Sequence, residues 1–263
     1  MSEVLTGLVA GHRAVYDGLL AATDGLDDPA WRMPTGCPGW SVHDQLAHCI
    51  GTERLMLGHP LADVEVPDLP HLRSDFGRQV ERDVEARRNV AAVFLREEAE
   101  VTFVRRQAKL EALVDADLDA DLETPLGRMP ARRGLRMRLF DLTCHEEDVR
   151  RALGLPVASG PHVEIAVVTA TRSLAAVLPR RLPDAAGVVA VTVDGAEPVA
   201  IDAATGALLP PSEATPDATL TCTTRQFLAL TCGRSDAPAA AELDLAGDLD
   251  LARQVVAVAG FTP

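Results

Sequence analysis

Through about residue 155 the apolar side chains recur at helical spacing; after Gly160 they gather into short runs of strand type. A chain with that break builds two cores of different kinds. Leu5, Leu8, Val9, His12, Val15, Leu19 and Leu20 keep a period near 3.6 and predict a first helix to about Ala22. A Pro- and Gly-rich loop follows. Ser41 then stands at an N-cap position with Asp44 three residues on, an acidic capping box opening a helix from Val42 to about Leu57. A proline-spaced linker over 60–73 leads to a long helical region from about Asp75 to Ala116, broken near its charged middle. The fourth helix starts near Ala131, with Leu135, Leu139, Leu142, Val149 and Leu153 as its buried stripe. Gly154 and Pro156 stop it. Four such helices with these connections predict an antiparallel bundle.

Beyond Gly160 one helix is expected over 162–182. GVVAVTVDG and AEPVAIDAATG read as two strands turning near Asp194-Gly195, and ATLTCTT as a third. RQFLALTCG reads as a helix, AAELDLAGD as a strand, and a last helix runs from Leu249. The expected class is α+β: a helical bundle over residues 1–157 and a smaller α/β domain over 158–263.

Aromatics make up only 3% of the chain, so both cores must be built mainly from Ala, Val and Leu. A formal charge of -14 argues against nucleic acid or an anionic membrane surface as partner, since both need a basic footprint. The amphipathic N-terminus does not read as a signal peptide, and no run of about 18 apolar residues suggests a membrane span. Five cysteines, an odd count without tight pairing, read as free thiols in a reducing cytoplasm.

The stretch TGCPGWSVHDQLAHC holds Cys37, His43, His48 and Cys49 within fifteen residues. A local zinc knuckle fails on geometry. Cys37 and Cys49 lack the short C-x2-4-C spacing, and His43 and His48, five apart on a helix, point about 140° from each other. His48 has better partners in the fourth helix, where Asp141 and His145 share a face four residues apart. Two imidazoles and one carboxylate leave coordination positions open, the pattern of a catalytic rather than a structural metal site. A D-x3-H pair also occurs by chance, so the spacing alone is weak evidence.

Plainer readings apply to the neighbours. Asp44 caps its helix and, four residues before His48, could accept a hydrogen bond from it. His12 reads as a satisfied core histidine, Cys144 as a small core residue. His59, His71 and His162 fall in or near loops and are expected to be solvated. Asp148 continues the Asp141–His145 face as a surface charge or a substrate-site group. REEAE and RRQ, around 96–107, read as a solvated face.

CPGWSVHDQLAH together with LFDLTCHEEDVRRALGLP resembles the mycothiol-dependent maleylpyruvate isomerase family, within the wider DinB-like group of metal-binding four-helix bundles. The tail from LTCTTRQFLALTCGRSDAP to GDLDLARQVVAVAGFTP is similar to that family's SCP-2-like C-terminal domain. The resemblance implies a divalent metal, with zinc preferred, held by His48, Asp141 and His145. The family pattern generally has glutamate where Asp141 stands, one methylene longer. It also implies mycothiol or a similar thiol as cosubstrate. The thiolate adds to an activated double bond of a small substrate, the resulting single bond rotates, and elimination gives the trans product. Anionic groups of substrate or thiol would need cationic anchors; Arg225 and Arg234, flanking a predicted helix of the second domain, are candidates. The same apparatus would serve thiol transfer to another electrophile. Two further readings stay open: a metal-assisted hydrolase or lyase, and a non-catalytic small-ligand-binding protein with a degenerate metal site. Oligomeric state and protein partners are left open.

Overall fold

The computed structural model describes residues 2–124, 127–210 and 214–262. The chain forms two compact units, one through Ala166 and the other Val167–Thr262. The first is helical and the second mixes helices with a sheet, giving the expected α+β class.

The helical unit contains α1 (Glu3–Ala22), the short α2 (Asp28–Trp31), α3 (Val42–Met56), α4 (Asp75–Glu85), α5 (Ala92–Glu111) and α6 (Ala131–Ala152). Helices α1, α3, α5 and α6 form the four-helix bundle: α1 and α3 each pack against both α5 and α6. Helix α4 lies against α3. The charged region from Asp75 is broken, as expected, by the turn over 86–91. The core is almost entirely aliphatic, with Leu5, Leu8, Leu19, Leu46, Ile50, Leu95, Leu110, Leu135, Leu139 and Leu142 fully or almost fully buried.

Two helix ends fix the geometry that matters for the site. At the start of α3, the Ser41 side chain accepts from the Asp44 amide. The Asp44 carboxylate accepts in return from the Ser41 backbone amide at 2.9 Å, a complete capping box. At the end of α6, Gly154 takes the left-handed conformation (φ 65°). The Leu155 amide reaches back to the Arg150 carbonyl at 2.8 Å and the Gly154 amide to that of Arg151 at 3.2 Å. That is the glycine-terminated stop the sequence signalled. The sequence pattern does not predict α2, nor strands β1 (Asp121–Thr124) and β2 (Gly127–Pro130), which pair antiparallel just before α6.

Helix α7 (Pro161–Arg181) runs through the divide between the units. The second unit then builds a five-stranded sheet from β3 (Val188–Val193), β4 (Val199–Asp202), β5 (Leu208–Leu209), β6 (Ala218–Cys222) and β7 (Asp244–Gly247). The strand order is β5-β4-β3-β6-β7; only β3 and β6 run parallel. Asp194 (φ 49°) and Gly195 (φ 72°) make the predicted turn after β3. Helices α8 (Thr224–Thr231) and α9 (Leu249–Val258) contribute Phe227, Leu228, Leu251 and Val255 to this unit's core. Among the described residues no helix is long and apolar enough to cross a membrane.

Candidate metal centre

Facing turns of α3 and α6 bring together the three residues that the sequence paired. His48 comes from α3, Asp141 and His145 from α6, and one donor atom from each lies within 4.8 Å of the others. His48 Nε2 is 3.3 Å from Asp141 Oδ2, and His145 Nε2 is 3.3 Å from Asp141 Oδ1. Ligands about 2.0–2.1 Å from a tetrahedral cation sit about 3.4 Å from one another, so the donor set and its spacing fit a divalent metal such as zinc. The cluster opens on the carboxylate side: the Asp141 side chain is 41% exposed, against 7% for each imidazole. Trp40 closes the other side, its ring centroid 5.0 Å from that of His48 and 5.6 Å from that of His145.

Each member is held by a partner of its own. His145 Nδ1 meets Gln45 Oε1 at 2.5 Å, and the Gln45 amide nitrogen reaches Thr35 Oγ1 at 2.7 Å and Asp148 Oδ2 at 3.5 Å. With Gln45 Oε1 accepting, Nδ1 carries a proton and Nε2 is turned to the cluster, where it donates to Asp141 and would be the atom offered to a metal. Trp40 is fixed by its indole N–H donating to Glu81 Oε2 at 2.8 Å, and Glu81 is fully buried. Asp141 is held by Arg138, whose Nη1 donates to Oδ2. Arg138 is in turn fixed by Glu53 at 2.6 Å and by the Cys49 carbonyl at 3.2 Å. Arg106 closes the network on the second Glu53 oxygen at 2.8 Å.

This buried arrangement sets the charges. Burial disfavours ionisation of Asp141, but the His145 and Arg138 charges, with hydrogen bonds from both imidazoles, hold it well below the usual carboxylate range. Burial opposes Glu53 ionisation too, and Arg138 and Arg106 outweigh it. The cluster therefore presents an anionic carboxylate at neutral pH. Cys49 beside it is pushed well up, chiefly by burial, and stays a thiol. No disulfide joins any of the five cysteines, and Cys37 and Cys49 build no knuckle with the histidines. His43 turns away to bond the Val90 carbonyl at 2.9 Å.

Several neighbours depart from the sequence reading. The Asp44 oxygens go to Ser41 and to Arg88, the latter at 3.1 Å, rather than to His48. Gln45, one residue on, supplies an acceptor to the other imidazole, that of His145. The solvated-face reading of 96–107 fails at Arg106 and Gln107, which are buried because they sit on the α5 side facing α1 and α3. His162 is buried, not solvated: the first turn of α7 lies over Gly11, and its Nε2 is 3.0 Å from Glu146 Oε2. His71 packs on Gly39 and approaches Glu81 at 3.4 Å. His59 is half-buried. His12 is a core histidine as expected, its Nδ1 bonded to the Leu8 carbonyl at 2.8 Å, but it is only half satisfied, since its buried Nε2 has no hydrogen-bond partner among the described residues; Cys144 is buried as expected. Asp148 is buried rather than a surface charge, taking Arg151 at 3.1 Å on one oxygen and facing Gln45 and His145 with the other. Arg225 stands in the first turn of α8; Arg234 follows that helix and donates to the Cys232 carbonyl at 3.3 Å.

Fold and site define a class: a four-helix bundle with a two-histidine, one-carboxylate cluster between facing helices, followed by a mixed helix–sheet domain. The chain belongs to the mycothiol maleylpyruvate isomerase family, whose N-terminal domain matches residues 12–150; residues 171–260 match the SCP-2 sterol transfer family. Among solved structures, the chain is similar to the mycothiol-dependent maleylpyruvate isomerase and to a histidine-to-alanine mutant of it. Both are 13% identical, with TM-scores of 0.58 and 0.59, over 94% of this chain and 96% of theirs. At that identity the likeness is one of fold. No curated protein matches the chain in sequence.

Proposed function

We propose that this protein is a metal-dependent enzyme that uses a low-molecular-weight thiol, mycothiol or a similar one, to isomerise a small electrophile such as maleylpyruvate or to transfer the thiol to it. The observation that carries this reading is the convergence of His48, Asp141 and His145 on one opening, in a chain of this family. A bound divalent cation, zinc by the preference of this donor set, would stabilise a substrate thiol as its thiolate at neutral pH.

The chain's own residues supply the rest. Gln45 orients His145 with Nε2 turned inward. Arg138 keeps Asp141 ionised and fixed, which suits a carboxylate one methylene shorter than the family's usual glutamate. Trp40 makes a wall that keeps water from the back of the cluster. Substrate and thiol reach it past the exposed edge of Asp141. Addition of the thiolate to the double bond, rotation and elimination would return the thiol unchanged; release of the adduct would make the same site an S-transferase. Arg225 and Arg234 are proposed as anchors for anionic groups, and Asp148 as a polar group of the substrate site acting beside His145.

Turnover of maleylpyruvate, and of a panel of small electrophiles, by zinc-loaded protein with and without mycothiol tests this. Thiol-dependent conversion that is lost in His48→Ala supports the proposal. Conversion that proceeds equally without thiol points to a metal-assisted hydrolase or lyase. Tight binding of a small ligand without turnover points to a non-catalytic binding protein.

A further inference from the structure

Helix α5 has one face that the bundle does not use. Of the ten exposed large hydrophobics among the described residues, four lie within its span: Val93, Phe94, Val101 and Val104, each more than half exposed. At 100° per residue, Phe94, Glu97, Val101, Val104, Arg105 and Ala108 fall within one third of the helix circumference. All six are exposed. Exposed apolar residues gathered on one face of a surface helix and bordered by charges are the pattern of an interaction site.

The charges on that stripe say what covers it. Glu97 and Arg105 have no ion-pair or hydrogen-bond partner among the described residues, whereas Arg96, Glu98 and Glu100 beside them are all paired. They lie four residues before and four after Val101, opposite charges placed symmetrically about an exposed apolar residue. A two-fold axis through Val101, with two copies of α5 antiparallel, sets Glu97 of each copy against Arg105 of the other, twice. A parallel pairing would set Glu97 against Glu97 and Arg105 against Arg105. A groove of about 280 Å³ along the stripe, lined by Leu57, Phe94 and Val101 together with Glu97, Glu98 and Arg105, gives the facing side chains a seat.

We infer that the protein forms a homodimer through antiparallel α5–α5 packing, centred on Val101 and aligned by reciprocal Glu97–Arg105 pairs. The arrangement is isologous, as a closed two-fold contact requires. Burial of Phe94, Val101 and Val104 drives association; the charge pairs, exposed at the rim, choose the antiparallel register.

Sedimentation velocity over a concentration series tests this on the full chain. The wild type is expected to show a reversible monomer–dimer equilibrium. Val101→Asp should weaken it by roughly tenfold or more. Glu97→Arg and Arg105→Glu should each weaken it, and the double reversal should recover most of the loss, since it restores both pairs. All three positions are exposed, so unchanged helical circular dichroism assigns the loss to the interface. A wild type that stays monomeric throughout overturns the inference. So does a dimer indifferent to Val101→Asp, or a double reversal no better than the two single changes together.

Discussion

Arg138 holds the Asp141 carboxylate in place at the cluster. An aspartate that faces two imidazoles could rotate or take a proton. Here a guanidinium grips one of its oxygens, and Glu53 and the Cys49 carbonyl grip the guanidinium. Burial works against the Arg138 charge, and Glu53 and Asp141 more than restore it, so the pair persists across the working pH range. His12, in the same core, behaves in the opposite way. Burial lowers its pKa from 6.5 to about 4. The folded protein therefore keeps His12 neutral where the unfolded chain takes up a proton. Stability is unaffected above pH 6.5 and is lost as the pH falls from there towards 4. Between pH 7 and pH 5 this costs about 2 kcal/mol. Replacing His12 with Gln should flatten the fall in unfolding free energy by about that amount, read from urea curves at the two pH values. An unchanged slope would mean that His12 does not stay neutral in the folded core.

Residue pairs on one helix were legible in the sequence, and so was His48 as their partner from another helix; the ion-pair partners on different helices were not. The i,i+4 spacing of Asp141 and His145 put them on one face, and that face is the one that meets His48. Gln45 carried a usable sign, since it lies three residues before His48 and so shares its side of α3. Arg138 and Arg106 carried almost none. A charged residue on an apolar stripe reads as solvated unless its partner is known, and Glu53 is 85 residues from one and 53 from the other.

At the scale of the element, α3 is the helix on which the site depends, because it carries both His48 and Gln45. Its start is specified locally by Ser41 and Asp44, and for that reason it could be read without the fold. Ser41→Ala removes the side-chain acceptor for the Asp44 amide and one of the donors to the Asp44 carboxylate. The expected loss is about 1 kcal/mol of unfolding free energy. Urea denaturation checks it, and a variant as stable as the wild type would show that the cap contributes nothing. The hairpin of β1 and β2 escaped notice for the converse reason. Its strands are four residues long, mostly exposed and partly charged, so no alternating apolar pattern announces them. The break before α5 was foreseeable from its charged, turn-forming residues. The buried start of α7 was not, because Pro161 after a Gly reads as loop until α1 and α6 are seen beneath it.

Across the whole molecule, a charge of -14 and an anionic donor set make the protein receptive to a divalent cation and unwelcoming to anionic substrates. A site for an anionic electrophile in such a chain needs its own local cations. Everything proposed for the chemistry rests first on the cluster holding a metal. Elemental analysis of purified wild type beside His48→Ala and His145→Ala tests that directly. About one zinc or other divalent ion per chain is expected in the wild type, and a loss in both variants with helical circular dichroism retained. A wild type that carries no metal and also fails to take up added zinc would contradict the catalytic-metal reading, and leave a family member with the fold but without the chemistry.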